Sequence, residues 1–188
     1  MKHIVSMALM FTLGIAAVYA HEQPVKMTFS GTAVPSTVDL QQPNTSVGEE
    51  NVAGKGTLGA FTFRQVSTHT APPQSSSTCS GPYFPRTKGA GVFRFQDGSL
   101  LTVNLVEGGD CVDLAHPGVG NCTLTLTITG GTRRFQNATG TLTFTETGVT
   151  VLNGDDPNNP VLFFTETGEI TGTISGVARA EERPDEQQ

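Results

Sequence analysis

Apolar and polar residues alternate along most of this chain after residue 20. Leu124, Leu126 and Ile128 fall on one side of an extended segment, and Thr123, Thr125, Thr127 and Thr129 on the other. A period of two marks a strand with one buried face. The same period runs through Leu101, Val103 and Leu105, through Phe93 and Phe95, and through Phe61 and Phe63. Strands are predicted near 25–34, 55–67, 90–96, 99–106, 121–129, 134–147 and 161–178, with Val149–Leu152 extending the sixth. Gly-rich turns such as Asp97-Gly98 and Gly130-Gly131 separate most of them. Residues 35–54, 68–89 and 153–160 carry Pro, Ser, Asn and Asp and read as loops. A helical period is almost absent.

Seven or eight antiparallel strands on mostly short turns predict an all-β fold, a single up-and-down barrel of about eight strands. Closure removes the exposed edges that an open sheet would leave. The alternative is a β-sandwich; its immunoglobulin form favours a Cys…Trp…Cys arrangement, and this chain has no Trp.

The start of the chain follows a different pattern. Lys2 and His3 precede an apolar run from Ile4 to Val18, and Val18-Tyr19-Ala20 follows. That sequence predicts a signal peptide over 1–20, a barrel domain over 21–180 and a charged, disordered tail over 181–188. The apolar run is shorter than the roughly 20 residues a membrane span needs. The expectation is a soluble, secreted or periplasmic protein with no transmembrane segment. The chain carries a formal charge of −6, and removal of the leader takes Lys2 with it. An acidic surface repels phosphate backbones and argues against nucleic acid as a partner.

In an oxidising compartment cysteines are expected to pair. Cys111 and Cys122 flank a short loop rich in Gly, Pro and Asp and are the preferred pair, a closure worth about 3 kcal/mol. Cys79 is then free or pairs between molecules. Pairing of Cys79 with Cys111 or Cys122 stays open.

Phe144-Thr145-Glu146-Thr147-Gly148 recurs as Phe164-Thr165-Glu166-Thr167-Gly168, and a Gly-Thr-Leu/Ile triplet begins at Gly56, Gly140 and Gly172. Tandem hairpins and simple convergence of Thr-rich strands both account for the echo.

The segment Ile128-Thr129-Gly130-Gly131-Thr132-Arg133-Arg134-Phe135-Gln136-Asn137-Ala138-Thr139-Gly140 is the most distinctive in the chain. It resembles the Gly-Gly-Thr-Gly-(Arg/Lys)-Phe…Ala-x-Gly signature of the allene oxide cyclase and dirigent barrels and of uncharacterised secreted bacterial proteins. Gly89–Phe95 and Asp97-Gly98-Ser99 are compatible with it. The resemblance spans about 55–178 and implies an eight-stranded barrel with Phe135 turned inward as a plug. Arg133 departs from it, standing where the family usually has Gly, and implies a differently shaped turn. No position matches the family's catalytic residues, so the resemblance transfers no activity.

Strict alternation puts Glu146 on the face of Leu142 and Phe144, and Glu166 on that of Leu162, Phe164 and Ile170. Inward carboxylates would have raised pKa values and would serve as acid, base or ligand contact. The blander reading places Gly148 and Gly168 at turns or bulges, flips the face and leaves both glutamates solvated; the rarity of buried carboxylates favours it. Arg64 and Arg94 are candidate interior partners, although the same argument puts them on the outer wall. His21 would become the N-terminus after cleavage, where amine and imidazole chelate copper with help from His69 or His116; the bland alternative is an ordinary first residue. Asn153, Asp155, Asp156, Asn158 and Asn159 are oxygen-rich but read as a surface turn, since their spacing fits no calcium loop. Asn44, Asn121 and Asn137 begin glycosylation patterns that matter only in a eukaryotic secretory pathway.

No hydrolase, nucleotide or zinc motif is present, and the sequence calls for no cofactor. The expected function is a secreted, non-catalytic barrel that binds a small, partly apolar ligand or a protein partner. An isomerase- or cyclase-like enzyme acting inside the barrel is the runner-up. A structural surface protein without a small ligand is the third reading.

Overall fold

A computed structural model describes residues 21–153 and 162–178. The expected leader, the acidic tail and most of the 153–160 turn lie outside the described residues. The strands are β1 (Gln23–Pro35), β2 (Thr45–Gly56), β3 (Gly59–Thr70), β4 (Gln74–Ser76), β5 (Cys79–Pro85), β6 (Gly89–Phe95), β7 (Leu100–Val112), β8 (Val119–Gly131), β9 (Thr139–Asn153) and β10 (Leu162–Ser175). Eight of them close an antiparallel ring in the order β7-β6-β3-β2-β1-β10-β9-β8, sealed by the β7–β8 ladder. β4 and β5 form a hairpin outside the ring. β5 pairs with Gly109–Cys111 of β7, beyond the stretch from Leu100 to Asn104 that β6 covers.

The predicted barrel is therefore present, with three corrections to its strands. Residues 35–54 contain β2, residues 68–89 contain β4 and β5, and β9 begins at Thr139 because Arg133–Phe135 form a 3₁₀ turn. β2 escapes a hydrophobicity reading because Val52 alone supplies a buried apolar side chain. Its other inward positions are glycines and Glu50. The glycines leave room for aromatic rings from neighbouring strands.

Those rings fill half of the interior. Phe63 stacks on Phe93 at 4.3 Å and tilts against Phe144 at 5.1 Å, and Phe29 meets Phe144 at 5.6 Å. Leu101, Leu124, Leu126, Leu142 and Ile170 close around them with no exposure. Gly91 lies under Phe63, where a Cβ would come within 2.5 Å of the ring.

The two ends of the barrel differ. At one end the connections are tight: β2–β3, β6–β7 and the 3₁₀ turn between β8 and β9. Phe135, fully buried, plugs this end against Phe95 at 4.8 Å, as the resemblance implied. Arg134 lies over both rings and donates to Leu58 O at 2.8 Å. Arg133 takes φ +53°, so an arginine holds the left-handed conformation that glycine adopts most readily. At the other end five connections gather: β1–β2, β3–β4, β5–β6, β7–β8 and β9–β10.

The internal echo acquires a geometric meaning in the β9–β10 hairpin. The two Phe-Thr-Glu-Thr-Gly copies run antiparallel, with Glu166 opposite Gly148 and Gly168 opposite Glu146. The triplets at Gly140 and Gly172 pair in the same way, Gly140 opposite Ile174 and Leu142 opposite Gly172. Each copy thus sets a glycine across from the other's large inward side chain. A Cβ at Gly168 would come within 2.7 Å of Phe29 Cζ, whereas one at Gly148 meets nothing nearer than 3.8 Å. Gly168→Ala is expected to cost about 1–3 kcal/mol in urea unfolding through overpacking. Gly148→Ala should shift stability by less than about 1 kcal/mol.

Candidate functional site

The loop-rich end of the interior is polar. Glu50 comes from β2, Gln65 and Ser67 from β3, Glu146 from β9 and Glu166 from β10, all buried. Neither Gly148 nor Gly168 turns the strand over, so the expected solvation of Glu146 and Glu166 does not occur. Their side chains follow Leu142 and Phe144, and Ile170, into the barrel.

A bulge brings in the next acid. β7 runs with Leu101 and Val103 inward, then shifts register between Leu105 and Glu107. A bulge adds one residue and reverses the parity of the strand beyond it. Asp110 consequently faces the interior group, although it has the opposite parity to Val103.

That reversal also decides the disulfide. Asp110 pairs with Cys122 across the β7–β8 ladder, and Cys111 pairs with Asn121. Adjacent strand residues point to opposite faces, so Cys122 is buried inside while Cys111 faces outward to the β4–β5 hairpin. The expected Cys111–Cys122 bridge is replaced by Cys79–Cys111, with Cα atoms 5.6 Å apart, and Cys122 is the free thiol.

The cation that joins the acids is Arg86, in the short link between β5 and β6. Its amide donates to Gly108 O at 2.9 Å, and the nearby Lys88 amide donates to Thr68 Oγ1 at 3.0 Å, fixing the link against β7 and β3. The guanidinium is fully enclosed. It donates from Nε and Nη2 to the two Asp110 oxygens at 2.9 and 2.6 Å, a bidentate pair. Nη1 donates to Glu50 and to Ser67 Oγ at 3.3 Å, and Nη2 lies 3.5 Å from Glu146 Oε1. His69 Nδ1 approaches Asp110 from the rim at 2.9 Å.

One guanidinium and four carboxyls do not balance, and the proton affinities diverge accordingly. Burial would raise Asp110, but the adjacent Arg86 and the His69 hydrogen bond hold it well below the usual carboxylate range. Burial and the nearby Glu50 charge push Glu166 up to about 8. The same two causes raise Glu146 well above its usual value, with Arg86 opposing them. Burial also pushes the Cys122 thiol well up, so it stays protonated. At neutral pH the group therefore combines an ion-paired aspartate with protonated glutamic acids. Among the described residues, neither oxygen of Glu146, neither amide atom of Gln65, nor Glu166 Oε2 has a hydrogen-bond partner. Each such buried atom costs about 1–3 kcal/mol.

The other sequence candidates lie elsewhere. Arg64 and Arg94 stand on the outer wall, Arg64 against Glu49. His21 lies just before β1, at the tight end, whereas His69 and His116 lie at the loop-rich end, so neither of these histidines joins it. Two pockets open on the outer wall, about 500 Å³ around Lys26, Lys55 and Gly59 and about 370 Å³ around Cys79, Tyr83 and Asn121. Neither includes Glu146 or Glu166. Sequence reasoning missed Arg86, Glu50, Gln65 and Asp110. Gln65 continues the alternation of Phe61 and Phe63 and was legible there; Arg86 follows no pattern and is placed by the fold alone.

Topology and interior together define a closed eight-stranded barrel with a packed aromatic half and a buried acidic end. No family model matches the chain, and no curated protein does. Among solved structures it is similar to the pterocarpan synthase dirigent protein GePTS1, at 11% identity and a TM-score of 0.36, over 92% of this chain and 99% of that one. So loose a likeness carries nothing about chemistry.

Stability should depend on pH through these groups. Glu166 binds its proton more tightly folded than unfolded, so its contribution falls as pH rises from the usual 4.5 to about 8, by up to about 1.4 kcal/mol per unit. Asp110 acts oppositely, losing stability as pH falls below the usual 3.8. Urea unfolding in metal-free buffer should therefore give a maximum near pH 4–5. Glu166→Gln should flatten the decline toward pH 8.

Proposed function

We propose that this chain is a secreted, non-catalytic β-barrel that binds a small, partly apolar ligand at its loop-rich end. The observation that carries the reading is the set of enclosed, unpartnered polar atoms on Glu146, Glu166 and Gln65. Native folds leave few such atoms, and an oxygen-bearing ligand would satisfy these. Protonated glutamic acids donate hydrogen bonds, so the matching ligand group is a carbonyl, hydroxyl or ether oxygen. The aromatic half is filled, so the ligand is short and stays at the polar end. Leu114, Val149, Val151 and Leu152 are exposed around that end and suit its apolar part or a protein partner. The Cys79–Cys111 bridge supports an oxidising compartment.

A second reading, an isomerase- or cyclase-like enzyme, is favoured by one observation: Glu166, with a pKa of about 8, lies among acids that Arg86 links. A carboxyl poised near neutrality is suited to general acid–base work. A purely structural barrel would share the packed aromatic half but would not need the unpartnered acids.

Mass spectrometry of molecules retained by the protein from its native host is the deciding experiment. The wild type should carry one small oxygen-containing compound that the Glu146→Gln/Glu166→Gln double variant, folded equally well, loses. Recovery of that compound unchanged after incubation supports the binder; conversion to an isomer supports the enzyme. An empty wild-type protein rejects both.

A further inference from the structure

Glu50, Glu146 and Glu166 come from three different strands, yet each places a carboxylate oxygen within 4.8 Å of the other two. All three are buried. Ionised together they would repel strongly where water is excluded, so a bound cation would displace the protons that Glu146 and Glu166 hold. The guanidinium of Arg86 offsets the carboxylates only in part: it pairs with Glu50 and lies 3.5 Å from Glu146, while its bidentate face is taken by Asp110.

A second observation points to the same place. Gln65 sits directly across from Glu50 in the β2–β3 ladder and is 1% exposed. It is neither acidic nor ion-paired, and neither its amide oxygen nor its nitrogen has a partner among the described residues. Its inward direction brings a neutral carbonyl oxygen to the side of the barrel where the three carboxylates converge.

We propose that the acidic end of the barrel is a binding site for a hard divalent cation, calcium above all, held by Glu50, Glu146 and Glu166 with the Gln65 carbonyl as a neutral ligand. Calcium takes oxygen ligands at about 2.3–2.6 Å, so oxygens on opposite sides of it stand roughly 4.6–5.2 Å apart. Three carboxylate oxygens all within 4.8 Å of one another fall inside that range. Magnesium dehydrates reluctantly and usually keeps several waters, which an enclosed set of three buried carboxylates and an amide carbonyl disfavours. A softer metal is not favoured. The converging side chains are all oxygen donors, and Cys122 groups with Asp110 and Glu146 rather than with Glu50 and Glu166. Arg86 remains with Asp110 and tempers the affinity through its charge, as do Ser67 and His69 by holding that pair in place.

The ion site shares residues with the ligand reading but does not rest on it. The test is calorimetric titration of CaCl₂, then MgCl₂, into the chelator-stripped mature protein, with thermal melts alongside. One calcium per chain is expected, with Kd between about 10⁻⁵ and 10⁻³ M and a rise in melting temperature; magnesium should bind at least about tenfold more weakly. Glu146→Gln/Glu166→Gln should weaken calcium by more than about tenfold while keeping the wild-type circular dichroism. Should that variant fail to fold, Gln65→Leu, which should weaken calcium several-fold, decides instead. No calcium heat and no thermal shift in the wild type would overturn the inference, as would undiminished binding in the folded variant. A stripped protein that binds no calcium yet still carries its organic ligand overturns the cation site and leaves the ligand reading intact. Calcium binding by a protein that carries no organic ligand does the reverse.

Discussion

A single guanidinium, enclosed in a barrel and shared among acids, sets the character of the whole loop-rich end. Arg86 is held by Asp110 in a fork and by Glu50 on its other face. A lone carboxylate in that interior would be driven to protonate or to pull water in. With Arg86 present, Asp110 stays ionised while Glu146 and Glu166 hold their protons more tightly, so acids with unlike proton affinities coexist within a few ångströms. Removing Arg86 would leave buried charge uncompensated, which is far costlier than losing a surface ion pair. The β5–β6 link, the β7 bulge and the hydrogen bonds from the Lys88 and Arg86 main chain form the scaffold that brings this one cation indoors.

Glycine performs the complementary task on the apolar side. A barrel of eight strands has limited interior volume, and Phe29, Phe61, Phe63, Phe93 and Phe144 would overfill it if every inward position carried a side chain. Gly54, Gly91 and Gly168 sit where a Cβ would collide with Phe61, Phe63 and Phe29 respectively. In the β9–β10 hairpin the same device admits the glutamates, each standing across from a glycine of the other copy. The repeated pentapeptide is thus one solution used twice about a local two-fold axis, and it bears on packing whether or not the hairpin arose by duplication.

The parts legible in the sequence are those where hydrophobicity carries the alternation. Leu124, Leu126 and Ile128 announce β8, and Phe93 and Phe95 announce β6, because these strands fill their own share of the core. β2 was illegible for the opposite reason: its neighbours' rings fill the space over it, leaving Gly48, Glu50 and Gly54 facing in. Literal alternation placed Glu146 and Glu166 inside correctly; the general rarity of buried carboxylates pointed the other way, and it failed because the compensating Arg86 is 60 residues from Glu146 and 80 from Glu166 in the chain. The disulfide failed on parity. Proximity in sequence favoured Cys111 with Cys122, but a one-residue offset in register puts their side chains on opposite faces. Bulges and long-range partners are properties of the closed sheet, and a single sequence does not display them.

The division of the barrel into two ends has the same physical origin. Phe135, Arg134 and Leu58 seal the tight end, where Phe135 and Leu58 are buried and Arg134 bonds the Leu58 carbonyl. A sealed, well-packed half supplies the rigidity that lets the other half hold unsatisfied acids without unfolding, since local strain persists only where the surroundings over-determine the backbone. Functional groups placed on strands are also held more firmly than groups on loops. Here Glu50, Asp110, Glu146 and Glu166 all stand on barrel strands, and the loops merely surround them. The arrangement therefore allows the loops to vary in length and composition while the spacing of Glu50, Glu146 and Glu166 stays fixed by the ladders beneath.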